Sequence, residues 1–198
     1  MEDFTWRDGE RIVRFGRGCV AEAVELCGGP GFTLLTTERA LAAAPSLGRD
    51  TRVVHLVGHG LVDAVAGDLL DSVEGDRLVA LGGGRVIDVA KALAAARGVR
   101  AMAVPTTLSG AEMTVIHRTA RGAGPGNVRP AVVVNDPALS ASQPEEQLAA
   151  SALNALGHAI DGARTTLSHP VARLTAAEAE RRLDAAFAAV EPDRDQIA

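Results

Sequence analysis

Arg77–Thr114, RLVALGGGRVIDVAKALAAARGVRAMAVPTTLSGAEMT, decides the fold, because it runs strand, glycine turn, helix, strand and polar loop in succession. Leu78–Leu81 is a short apolar run closed by glycines, as expected for a strand covered on both faces. Gly82, Gly83 and Gly84 lack Cβ atoms, so a ligand approaches their N–H groups closely. The helix expected from about Val86 aims its positive end at the same place, which makes an anion site, most naturally for phosphate. Asp88 and Lys91 are three apart and share a face of that helix. The next strand, Ala101–Val104, leads into Pro105-Thr106-Thr107, which brings two hydroxyls to the same carboxyl edge of the sheet, where open α/β folds bind ligands. A glycine triplet alone is an ordinary turn, Asp88 with Lys91 an ordinary solvated pair, and two threonines an ordinary cap. Their succession on consecutive elements is what points to a site.

Outward from this stretch, strands and helices alternate. Arg11–Phe15 reads as a first strand, Val20–Leu26 as a short helix and Phe32–Thr36 as a second strand. Glu38–Ala44 is alanine-rich and helical, closed by Pro45. Arg52–Val57 follows as a strand and Leu61–Leu70 as a helix packed on the sheet. Arg121–Pro130, RGAGPGNVRP, is glycine- and proline-rich, a surface loop able to order over a bound cofactor, and Ala131–Val134 supplies a late strand. The expected class is α/β, a Rossmann-like parallel sheet with right-handed crossovers. From Gln143 onward strand signals stop, and Glu145–Leu167 and Pro170–Val190 read as helices. The boundary is expected near Pro137–Pro144, giving a dinucleotide-binding domain over 1–140 and a partial all-helical domain over 141–198. The stripe containing Leu183, Ala186 and Phe187 on the last helix needs an apolar partner.

Four motifs carry a resemblance. GGGRVIDVAKA followed by PTTLSGAEMT resembles the iron-containing alcohol dehydrogenase superfamily, whose members carry GGGS-x-x-D-x-x-K and then PTT. Asn135–Leu139 is similar to its D-P-x-L segment, and Asn154–Asp161 to its D-A-x-x-H-A-x-E helix. Within the superfamily, the shorter loop after Thr107 and Asn154 in place of an aspartate resemble the maleylacetate reductase branch, which works without the metal. Arg85 stands where serine is usual, beside the expected diphosphate.

The resemblance implies an enzyme using NAD or NADP on an alcohol, a carbonyl or a maleylacetate-like activated double bond. Gly82, Gly83 and Gly84 would hold the diphosphate, while Asp88, Lys91, Thr106, Thr107, Ser109 and Thr114 would line the nicotinamide half. Thr37 stands where an acid would meet the adenosine ribose, with Glu38 adjacent, so coenzyme choice stays open between the two. Asn154 and His158 are four apart and share a helix face, a spacing suited to a divalent metal such as iron or zinc. An amide is a weak neutral donor, so His158 is the one ligand candidate, and substrate contact or proton transfer is its expected catalytic role beside Asn154. Superfamily members are about twice this long, and their later helices bring the remaining metal histidines. Two alternatives follow: a dinucleotide-binding fragment without turnover, and a carbon–oxygen lyase of the dehydroquinate synthase type. A homodimer is also implied.

Net charge is −5, with no basic cluster and no aromatic platform, which argues against nucleic acid as partner. Tyrosine is absent and aromatics are scarce, so the core must be built from Ala, Val and Leu. Cys19 and Cys27 are too few for a metal cluster or a disulfide scaffold. No amino-terminal apolar signal and no bilayer-length apolar run occur, so a cytoplasmic protein acting on a small molecule, with no membrane partner, is expected.

Overall fold

Alternation of apolar residues to two covered faces organises the chain into three layers in a computed structural model, which describes residues 3–166 and 168–189. The strands are β1 (Phe4–Asp8), β2 (Arg11–Phe15), β3 (Phe32–Thr36), β4 (Thr51–Leu56), β5 (Arg77–Gly82), β6 (Arg100–Pro105) and β7 (Val132–Asn135). They form one seven-stranded sheet in the order β1-β2-β7-β6-β5-β3-β4. All pairs are parallel except the β1–β2 hairpin. The α/β class with a mostly parallel sheet stands as the sequence indicated.

Along β5, Leu78 and Ala80 enter one core while Val79 and Leu81 enter the other, the period-two pattern of a strand buried on both sides. The first core is completed by α4 (Val62–Leu69) and α5 (Gly84–Arg97). The second is completed by α1 (Ala23–Leu26), α2 (Glu38–Ala43), α3 (Pro45–Arg49) and α6 (Pro137–Ala141), where both cysteines are buried thiols. Small aliphatic side chains dominate both layers, and Phe32 is the one aromatic ring among them. The helices α7 (Glu145–Arg164) and α8 (Pro170–Ala188) pack chiefly on each other.

Several local expectations change. A strand, β1, precedes Arg11–Phe15; all five of its residues are exposed, its alternation is limited to Phe4 and Trp6, and it is held by pairing to β2 and by stacking of Phe4 on Phe15. Helix α5 starts at Gly84 instead of Val86, with Gly83 as its N-cap residue. Pro45 ends α2 and then opens α3 from the first-turn position that its fixed φ favours. Leu183 and Ala186 are buried, with α8 packed on α7, whereas Phe187 stays exposed. The expected helix ends at Leu167 and Val190, and the rest of the segment to Ala198, lie outside the described residues.

Asp136 shows how a motif residue builds structure. Its Oδ1 accepts from Ala138 N at 3.0 Å, capping α6 ahead of Pro137, and its Oδ2 accepts from Val20 N at 3.2 Å. One carboxylate thus starts a helix and ties the amino-terminal segment to the end of β7.

Candidate functional site

Strand order sets the position of the site. β3 continues outward to β4, while β5, its neighbour, continues to β6 on the other side. The crevice at the carboxyl ends of β3 and β5 is therefore a topological switch point, the place where doubly wound sheets accept ligands.

Gly82–Gly84 lie at that edge, none of them with a positive φ. What requires glycine is close approach. A Cβ on Gly82 would stand 2.7 Å from Val86 Cγ2, one on Gly83 would stand 2.9 Å from Thr107 Cγ2, and one on Gly84 would stand 2.9 Å from Ser109 Oγ. Thr107 and Ser109 thus bring their hydroxyls against the start of α5. No side chain caps this helix, so its first N–H groups remain donors facing the same crevice. Uncapped N–H groups, a helix N-terminus and adjacent hydroxyls fit a diphosphate. The buried Thr106 belongs to this edge too, its N–H donating to Gly82 O at 3.0 Å.

Asp88 and Lys91 form the expected pair, Nζ to Oδ1 at 2.9 Å. Lys91 is fully buried and also donates to Ala111 O at 2.9 Å and Ile116 O at 2.6 Å, with Thr114 Oγ1 at 3.5 Å. With three N–H groups already committed, it pins the loop after β6 onto α5, and what it offers a ligand is charge. The sequence reading passed over Arg11, which anchors the same loop from the other side. Its Nη2 donates to Glu112 O at 3.1 Å and its Nε to Pro130 O at 3.1 Å. Burial, reinforced by the charge of Arg129, lowers the pKa of Arg11 from its ordinary value. Glu112 was missed as well: it is buried, its Oε2 has no partner, and desolvation raises its pKa despite Lys91 and Arg11.

Thr37 caps α2, accepting from Ala40 N at 3.2 Å, and Glu38 is exposed. Arg39, two residues past the position where an acid was sought, donates from Nη2 to Thr106 Oγ1 at 3.0 Å. The step from the end of β3 to a residue reaching over the glycine strand was a signal present in TTERA and unread. Arg85 is exposed on the first turn of α5.

Next to Ser109 lies a cavity of about 620 Å³ between the loop over Leu108–Thr114 and the helices α7 and α8. His158 lines it together with Ser109, Met113 and Thr114, and the remaining walls are mostly small apolar side chains. Asn154 is exposed one turn away and does not line it. The cavity's two sides are tied by Leu108 N donating to Ser151 Oγ at 2.8 Å, a link that no motif announced. Of the other histidines, His59 is exposed on a loop, His169 caps α8, and His117 accepts from Val128 N at 3.2 Å.

Among the described residues no three His, Cys, Asp or Glu side chains converge, and at Asn154, one turn before His158, an amide stands where a carboxylate ligand would be needed. These residues do not fit a metal centre.

Residues 24–117 match the family model described as iron-containing alcohol dehydrogenase. The maleylacetate reductase of Sphingobium indicum is 35% identical over 115 residues, covering 54% of this chain and 32% of that enzyme. The iron-containing alcohol dehydrogenase of Corynebacterium glutamicum is 28% identical in structure-based comparison, with a TM-score of 0.74 over 93% of this chain and 58% of that one. The sulfoacetaldehyde reductase of Bifidobacterium kashiwanohense, solved in complex with NAD+, shares the fold at 22% identity and a TM-score of 0.72, covering 93% of this chain and 61% of that one. The resemblance drawn from GGGRVIDVAKA and PTTLSGAEMT is borne out: the chain is similar to the iron-containing alcohol dehydrogenases in sequence over 24–117 and in fold over most of its length. The curated relatives that it matches are maleylacetate reductases, and the matched segment spans about a third of the first of them.

Proposed function

We propose that this chain binds a nicotinamide dinucleotide and serves an oxidoreductase of the iron-containing alcohol dehydrogenase type, acting on an alcohol, a carbonyl or a maleylacetate-like activated double bond. One observation carries the reading: the uncapped start of α5 meets the hydroxyls of Thr107 and Ser109 at the switch point of the sheet. A dinucleotide held there by its diphosphate extends one half toward Thr114 and the cavity lined by His158. The bound nicotinamide supplies hydride chemistry; the protein supplies orientation and charge. The walls beside the reacting carbon are mostly small and apolar. His158, an imidazole on that wall, holds or delivers a proton at the substrate oxygen.

Calorimetric titration with NADH and NADPH tests the first part. At least one binds, in the micromolar range or tighter; no heat with either, on folded protein, removes the reading. A His158→Gln variant then binds coenzyme as the parent does while losing about a hundred-fold in turnover of a maleylacetate-like substrate. A second reading, a coenzyme-binding module, draws on the matched segment spanning about a third of the curated reductase. Binding without turnover in the parent chain is its signature.

A further inference from the structure

The crevice between β3 and β5 has two walls, and only one is accounted for by the diphosphate. Gly83, Gly84, Thr107 and Ser109 make the first. The second is the segment Thr37–Arg39, which leaves the end of β3 beside the glycine strand. In a dinucleotide site this is where the adenosine ribose lies, and an acid there accepts the ribose hydroxyls and repels a 2′-phosphate. The position that follows β3 holds Thr37 where such an acid would stand. The Thr37 hydroxyl is engaged as the cap of α2, accepting from Ala40 N, and Glu38 is exposed on the first turn.

The group that reaches in is cationic. Arg39 starts beyond β3, and its Nη2 donates to Thr106 Oγ1 at the end of β6, so its guanidinium crosses the end of β5, the strand between them. Its Nη1 is buried and has no partner. A buried, charged donor left unpaired is unfavourable until an acceptor arrives, and the guanidinium fork matches the geometry of phosphate oxygens. We propose that Arg39 makes this site select a 2′-phosphorylated dinucleotide, of the NADP(H) class, over its unphosphorylated counterpart. This rests on the dinucleotide reading and adds its coenzyme specificity. Thr106 fixes the guanidinium from one side; the phosphate meets its charge, and Nη1, buried and unpaired, gains an acceptor once the side chain turns toward it.

Calorimetry of the full chain with 2′-phospho-ADP-ribose and with ADP-ribose tests this without any hydride chemistry. The parent binds the phosphorylated ligand about ten-fold or more tighter. Arg39→Ala loses about ten- to a hundred-fold for that ligand and stays within about two-fold for ADP-ribose. Thr37→Asp keeps a competent cap on α2 and reverses the preference. Equal losses for both ligands in Arg39→Ala would assign the guanidinium to the diphosphate and overturn the proposal, as would a parent preference for ADP-ribose. If the parent binds neither ligand, the dinucleotide reading itself is lost and the specificity with it, an outcome distinct from binding without selectivity.

Discussion

At the scale of single residues, charged groups buried around the loop after β6 hold the site's shape. Lys91 gathers Asp88 and two backbone carbonyls, so one ammonium fixes the path of the chain from Ala111 to Ile116. Glu112 belongs to the same loop, its side chain buried with an unpartnered Oε2. Desolvation raises its pKa from the ordinary 4.5, so the folded chain holds this proton more tightly than the unfolded chain. Its contribution is therefore fully present below the unfolded value and declines as pH rises from there through the folded value. Glu112→Gln, which resembles the protonated acid, should match the parent near pH 4 and exceed its stability by about 1 kcal/mol near pH 8. Urea midpoints across that range read the difference; a gap independent of pH would reject this account. The two cysteines are silent by comparison: burial pushes the thiols of Cys19 and Cys27 up to about 11 and about 12.

At the scale of elements, the turn from β5 into α5 works because three successive residues carry no side chain. The space a Cβ would occupy on Gly84 is taken by Ser109, whose Cβ and Oγ both stand 2.9 Å from it. Gly84→Ala must push that loop outward, as overpacking does, at about 1–3 kcal/mol of stability. The displacement also moves the hydroxyl that faces the helix start. Coenzyme affinity should fall about ten-fold or more, measured by titration alongside a thermal melt. Unchanged binding with a lowered Tm would mean that the triplet serves packing alone. The same logic of paired elements appears at Asp136, which caps α6 and holds Val20 N.

At the scale of the molecule, the sheet body and the α7–α8 pair are held in different ways. β3, β5 and β6 are paired on both edges and buried on both faces, whereas α7 and α8 bury Leu148, Ala152, Ala159, Ala176, Leu183 and Ala186, with α8 packed chiefly on α7. Leu153, Val171, Leu174 and Phe187 remain exposed on the same two helices. Fewer buried contacts imply a lower opening free energy. Hydrogen exchange should show amides of α7 and α8 exchanging at least about ten-fold faster than those of β5 and β6, and Ser151→Ala, which removes the acceptor for Leu108 N, should widen the gap. Equal protection across both regions would contradict this. No helix among the described residues is long and apolar enough to cross a membrane.

The sheet's interior strands, the glycine turn and the helices that cover it were legible in the sequence because each rests on local rules: short apolar runs, glycine triplets, caps and 3.6-residue periodicity. Leu78–Leu81, Gly82–Gly84 and the Asp88–Lys91 pair follow from neighbours within a few positions. β1 was not legible, since its residues face solvent and what holds it extended is pairing and ring stacking with Arg11–Phe15. Arg39 over Thr106, Arg11 under Glu112 and Ser151 against Leu108 join residues between 43 and 101 positions apart. No local pattern specifies which distant carbonyl or hydroxyl a flexible side chain will meet. The sequence determined the interior strands, the covering helices and the glycine turn; the tertiary structure alone decided which charges converge on that turn, because strand order brings distant segments to one edge.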